Sequence, residues 1–285
     1  MGPHRPAGPC PTMSTEGLVP LAAGREAEVF ARPDGYVVKL MWSADFAPRV
    51  HREANALRIL AGMGHVAPRL EGLVEIDGRP GLVIERVEGV DLLTLLMRRP
   101  WLFLRAAAPM AHVHAAMHEV VAPAALPGLE SELRERIENA AALPVHLAGH
   151  ALEVLDTLPQ GDRLCHGDLH PGNMLGTWAA PVAIDWVNAS RGHPAADVAR
   201  TDLLVRLGDT PTKMSAGVRA MIAAGRRLLA RRYLSIYRRS SPTDLTRLAD
   251  WRVVRAAARF AEGIESEHEA LADVIDRHRR RTRRR

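Results

Sequence analysis

The chain is short of cysteine, lysine, aromatic residues and long apolar runs. Its two cysteines are Cys10, in a Pro/Gly-rich leader, and Cys165, near the middle. Two such distant thiols exclude a disulfide framework and point to a reducing cytoplasm. No stretch approaches the roughly 18 uninterrupted apolar residues of a membrane span, so no membrane partner is expected. Residues 1–11 are too proline-rich for the apolar region of a signal peptide. Acid is absent from residues 277–285, which hold seven arginines; without them the net charge of +5 becomes −2. The body is thus near neutral. The basic end reads as a solvated, frayed tail, in preference to an arm that binds nucleic acid. Lysine is scarcer still: of 38 Lys and Arg, only Lys39 and Lys213 are lysine.

The chain does have 285 residues, 47% of them hydrophobic and 25% charged. That is ordinary for a globular protein and long enough for one large domain or two lobes. Residues 1–16 read as a disordered leader. Short apolar runs follow at 17–23, 27–32 and 36–41, broken by turn compositions that include Asp34-Gly35. Val50, Ala54, Leu57 and Ala61 recur at helical spacing, and Gly62 and Gly64 end that segment. Two further strands, 72–76 and 81–87, flank the turn composition Asp77-Gly78-Arg79-Pro80. Helices are expected over 91–97, 101–120, 129–142 and 151–158. Residues 160–190 lose the helical texture, which returns from Asp197 to Asp276.

This pattern predicts an α+β fold. A five-stranded β lobe with one helix spans 17–88, a larger, mostly helical lobe spans 89–276, and a basic tail spans 277–285. A β lobe followed by an α lobe, with irregular segments where they meet, suggests a ligand cleft.

The chemistry concentrates in His166-Gly167-Asp168-Leu169-His170-Pro171-Gly172-Asn173. Pro171 and Gly172 forbid a regular helix, so an irregular loop aims Asp168 and Asn173. Asp185 ends the apolar run 181–184. Asn173 and Asp185 offer hard oxygen ligands of the kind Mg²⁺ takes when it also binds phosphates. Asp168 is then available to accept a hydroxyl proton. That division of labour belongs to phosphoryl transfer, and protein kinases show the same Asp-x-x-x-x-Asn spacing followed by a metal-binding aspartate. Read alone, His166, Asp168 and His170 fit a hydrolase metal site instead, but that leaves Lys39, Glu53 and Asn173 unexplained.

These residues, with Ile184-Asp185-Trp186, resemble the signature of the aminoglycoside phosphotransferase and choline kinase-like superfamily. Gly192-His193-Pro194, followed by Asp197 and Ala199, is similar to its later conserved element. The resemblance covers roughly residues 17–276. It implies a protein-kinase-like fold, ATP and Mg²⁺ as cofactors, and a small-molecule hydroxyl acceptor. It further implies Asp168 as catalytic base, Asn173 and Asp185 as metal ligands, His166 as structural support and Asp197 as a brace for the loop.

The first lobe carries matching features. Lys39 lies in the third expected strand, where a kinase holds phosphates with a compact charge. Glu53, between Val50 and Leu57, is placed beside the inward helix face to pair with it. Gly24 belongs to a phosphate-covering turn, and the backbone at Glu85 and Val87 forms the hinge that meets adenine.

Other features have plainer readings. His112, His114 and His118 are expected to decorate or pack a helix, because no carboxylate completes a ligand set nearby. Trp101 and Trp251 read as core or interface. Glu262, Glu265, Glu267 and Glu269 form either a solvated face or, through Glu262 and Glu265, an amine-binding wall of the acceptor pocket. The acceptor stays open among an aminoglycoside or other antibiotic and a choline-, sugar- or amino-acid-like metabolite. A non-catalytic nucleotide-binding module and a nucleic-acid binder are the alternatives from other classes.

Overall fold

The structure, a computed structural model, describes residues 17–24, 26–61, 66–208 and 215–283. The leader with Cys10, the helix-ending Gly62 and Gly64, and Lys213 lie outside the described residues. The chain divides into two compact units, one ending at Glu88 and one beginning at Gly89.

The first unit holds β1 (Val19–Ala23), β2 (Ala27–Ala31), β3 (Tyr36–Met41), α1 (Ala47–Leu60), β4 (Leu70–Ile76) and β5 (Arg79–Glu85). The five strands form one sheet in the order β1-β2-β3-β5-β4, antiparallel throughout. Asp77 and Gly78 both have positive φ, 51° and 73°. A two-residue loop of that hand matches strand twist and joins β4 tightly to β5. Phe30, Val38, Leu40, Val74, Ile76 and Val83 form a buried cluster. At about 1.5–3 kcal/mol per buried apolar side chain, it contributes on the order of 10 kcal/mol before chain entropy is set against it. Strand alternation turns Val38 and Leu40 to this cluster and Lys39 to the opposite face. α1 starts with proline in its first turn and buries Val50, Glu53, Ala54 and Leu57.

The second unit contains α2 (Leu92–Arg98), α3 (Phe103–Met117), α4 (Leu129–Glu138) and α5 (Val145–Asp156). Then come β6 (Arg163–Cys165), β7 (Met174–Gly176), β8 (Pro181–Ala183), β9 (Ser190–Gly192), α6 (Pro194–Leu207), α7 (Ala216–Ser240), α8 (Leu248–Arg259) and α9 (Glu265–Thr282). β6 pairs with β9 and β7 with β8, making two short ribbons in the non-helical stretch.

The α+β architecture is the one read from the sequence, and boundaries differ where local chemistry decides them. α5 starts at Val145, six residues ahead of the expected 151, because the Pro144 carbonyl accepts from Leu147 and Ala148 and opens the helix. Residues 277–282 are helical rather than frayed: Arg279 and Arg280 pair with Asp276, and Arg277 with Asp273, about one turn back. Trp251 is buried, whereas Trp101 is 71% exposed and not a core residue. Among the described residues no helix is long and apolar enough to cross a membrane.

Candidate active site

In the first unit, Lys39 Nζ donates to Glu53 Oε2 at 2.8 Å. Glu53 is buried among the apolar residues of α1, so its carboxylate sits there with an opposite charge beside it. Gly24 closes the β1–β2 turn. Its N–H donates to Ala27 O, and its carbonyl accepts from the Trp42 indole. That N–H is therefore engaged within the turn. At the other end of the sheet, the Glu85 N–H donates to Arg69 O at 2.8 Å, and half-buried Val87 follows β5.

In the second unit, residues 166–169 form an irregular loop after β6, and α6 holds all four. Asp197 accepts from the His166 N–H at 2.6 Å and from the Gly167 N–H at 2.9 Å. Arg200 donates to Asp168 Oδ1 at 3.0 Å. Thr201 Oγ1 donates to Leu169 O at 2.9 Å. These three α6 residues share one face by helical spacing. Gly167 has φ +80°, and a Cβ there would lie 2.6 Å from Asn188 O, so the loop requires glycine at this point.

His166 joins this loop to the residue before Asp185. Its Nε2 meets Ile184 O at 3.0 Å, and its Nδ1 accepts from the Asp168 N–H at 3.2 Å. Those partners assign the Nε2–H tautomer. Burial pushes the His166 pKa down against the pull of Asp197, which keeps the ring neutral. Trp186 lies wholly buried against His166, ring centroids 4.5 Å apart, with its indole N–H on Ala183 O.

Asn173 Nδ2 donates to Asp168 O at 3.0 Å and approaches Asp168 Oδ2 at 3.4 Å. Oδ1 is the atom of its side chain that could coordinate a metal. The Ile184 N–H donates to Asn173 O at 3.0 Å, so the β7–β8 ribbon brings Asn173 and Asp185 together. Asp185 adopts φ 67°, ψ 63°, a strained conformation for a residue with a Cβ. One amide oxygen and one carboxylate form a donor set suited to Mg²⁺.

Asp197 is itself held from behind. His114 Nε2 lies 3.0 Å and His118 Nε2 3.4 Å from its Oδ2. The Nδ1 atoms of the same rings meet Tyr233 and Tyr237 hydroxyls at 2.5 and 2.7 Å. The expectation that no carboxylate lies near these histidines is corrected, because folding brings Asp197 from 79 residues away. The three candidate ligand atoms lie within 4.8 Å of one another. Yet each ring nitrogen already has a protein partner, and Arg255 stands 3.8 Å from Asp197. A dication would add charge beside that guanidinium, so the cluster is a closed hydrogen-bond network. Burial opposes the Asp197 charge, but His114 and His118 outweigh it and hold the pKa well below the usual carboxylate range. Burial and neighbouring His114 push His118 down to about 4. His112, on the same helix, is exposed.

The expected amine-binding wall takes a different form. Glu262 Oε1 lies 2.8 Å from Arg200, and its Oε2 lies 2.7 Å from Arg259. Arg259 also pairs with buried Glu267. Glu265 lies exposed at the start of α9. Arg200, Thr201 and the two tyrosines escape a reading of the sequence alone. Their one visible signal is spacing: His114/His118 and Tyr233/Tyr237 both repeat after four residues, and Arg200/Thr201 follow Asp197 by three and four.

The fold is of the protein-kinase-like class. The model of the phosphotransferase enzyme family matches residues 17–234, and the chain belongs to that family. No curated protein sequence matches significantly. Among solved structures, the chain is similar to an amicoumacin kinase, hAmiN, in complex with AMP-PNP, Ca²⁺ and Ami: 16% identity, TM-score 0.61, covering 93% of this chain and 88% of that one. It is also similar to aminoglycoside phosphotransferase APH(3'')-Id from Streptomyces rimosus in complex with ADP and streptomycin: 19% identity, TM-score 0.57, covering 86% and 92%. A third is the GDP and kanamycin complex of APH(2")-IIia: 17% identity, TM-score 0.56, covering 92% and 91%. At these identities the likeness is one of fold.

Proposed function

We propose that the chain is an ATP-dependent kinase that moves the γ-phosphate onto a hydroxyl of a small molecule. The observation that carries this reading is Asp168. Its Oδ1 is held by Arg200, while Oδ2 lies within 3.4 Å of the Asn173 amide. Asp168 orients the acceptor hydroxyl and takes its proton at Oδ2 as the hydroxyl oxygen bonds the γ-phosphorus and ADP departs. Asn173 Oδ1 and the Asp185 carboxylate would hold Mg²⁺, which when bound would neutralise phosphate charge. Lys39, kept in place by Glu53, contacts the phosphates; backbone groups at Glu85 and Val87 meet adenine, with the Glu85 carbonyl as the acceptor there. His166 and Asp197 position the loop. Gly24 shapes its turn.

The family and the nucleotide complexes of similar folds support nucleotide use. The acceptor belongs to the range of antibiotics, cholines, sugars and amino-acid-like compounds. The setting for such a reaction is the cytoplasm, consistent with the free, buried Cys165.

The test is ATP turnover with a panel of hydroxyl compounds, product being detected by its added mass. Asp168→Asn should bind Mg²⁺·ATP as the unmutated protein does and turn over about 100- to 10,000-fold more slowly. Turnover at the unmutated rate would remove Asp168 from the role of base.

A further inference from the structure

The charges that surround Asp168 alternate. Asp168 pairs with Arg200, Arg200 with Glu262, Glu262 with Arg259, and Arg259 with Glu267. Three carboxylates face two guanidinium groups, so a single negative charge is left over along the chain. The Arg200 side chain is only 7% exposed and is fixed at both ends of its fork. Burial works against its charge, but Glu262 and Asp168 hold its pKa above the usual value, so it stays a cation. Glu262 is likewise held in its charged form: burial opposes, and Arg200 and Arg259 prevail.

A polycation is recognised by carboxylates that lack a counter-charge. Here the acid nearest to Asp168 through this chain is already neutralised from two sides. Each ammonium group brought near Asp168 meets the Arg200 guanidinium, and like charges at close range act against binding. The Glu262 carboxylate, 26% exposed, already has one oxygen on each of two guanidinium groups, so an ammonium group that approaches it meets their charge as well.

On the kinase reading above, we propose that the acceptor is a hydroxyl compound with at most one ammonium group, and that Arg200 sets this preference while positioning Asp168. Arg200 binds Oδ1 and leaves Oδ2 for the hydroxyl, so it acts on the reaction through Asp168.

The test compares an amino sugar bearing several ammonium groups with its fully N-acetylated form, which keeps the hydroxyls and loses the charge. Two quantities are read on the full chain: kcat/KM with Mg²⁺·ATP, and equilibrium binding in the presence of AMP-PNP at low and high salt. The N-acetylated form should be favoured over the polyamine by about tenfold or more. Arg200→Gln, which removes the guanidinium from between Asp168 and Glu262, should raise polyamine affinity by a similar factor and leave the affinity of the N-acetylated form unchanged, while kcat falls for both acceptors because Asp168 loses its hold. Preference of the unmutated protein for the polyamine overturns the proposal, as does a folded Arg200→Gln variant with unaltered preference. Where that variant does not fold, Glu262→Gln serves: it leaves two carboxylates against two guanidinium groups, removes the surplus negative charge and should weaken polyamine binding further, and equal or tighter binding counts against the proposal. Failure of the unmutated protein to bind Mg²⁺·ATP would instead sink the kinase reading itself.

Discussion

The Lys39–Glu53 pair and the 166–169 loop are built in opposite ways. Lys39 and Glu53 stand on regular elements, a strand and a helix. Strand alternation and helix periodicity aim them, and a 2.8 Å ion pair joins them. The loop has no periodicity of its own. It takes its shape from outside, through Asp197, Arg200 and Thr201 of α6 and through His166. A regular element carries its geometry in its hydrogen-bond ladder, whereas an irregular segment must be held residue by residue.

If that contrast is right, the loop's supports should be the more sensitive. Asp197→Asn removes the charge that two backbone N–H groups and two histidines converge on. It should cost about 3–5 kcal/mol of stability, read by denaturant unfolding, and lower kcat in the fraction that folds. A loss below about 1 kcal/mol would show that the loop keeps its shape without this brace. Lys39→Ala takes this cation away from buried Glu53; a cost of about 3 kcal/mol and a raised KM for ATP are expected. Adding Glu53→Gln should recover part of the stability but not the KM, and full recovery of both would make the pair purely structural.

The pH dependence separates the regions further. His118 titrates at about 4 in the folded chain, against roughly 6.5 unfolded. The unfolded chain therefore binds a proton that the folded one refuses. Stability is full above pH ~6.5 and declines as pH falls toward ~4, by about 3 kcal/mol over that window. The depressed Asp197 carboxyl adds a further loss only at lower pH, beneath its unfolded value of about 3.9. Unfolding measured across this range should show the slope, and His118→Asn should flatten it; parallel curves would remove His118 as the source. The smallest effect is expected from Thr201→Val, which takes one hydrogen bond from Leu169 O, at about 1 kcal/mol.

Much of the architecture is legible in local patterns. Five short apolar runs become five strands, and Val50, Ala54 and Leu57 mark the buried side of α1. The ends of elements are less legible: the α5 start at Val145 depends on a proline carbonyl, and the helical continuation to Thr282 on charges one turn apart. In the site, Asp168, Asn173 and Asp185 stand out because their spacing is unusual and unbroken by helical periodicity. Arg200 does not, because one arginine among so many carries no local mark. Glu262 is ambiguous for a related reason. Its carboxylate reads as available until its two arginine partners, 62 residues upstream and three residues before it, are brought alongside.

The sequence by itself determined the class of fold, the family signature and the residues proposed for the chemistry. Those follow from periodicities and spacings within a few tens of residues, where backbone geometry links position to direction. The tertiary structure decided what surrounds them. It joined His114, His118, Tyr233 and Tyr237 to Asp197, set α6 beneath the loop, and neutralised Glu262 with Arg200 and Arg259. Charge pairing and burial depend on which distant segments meet, and no local pattern encodes that meeting.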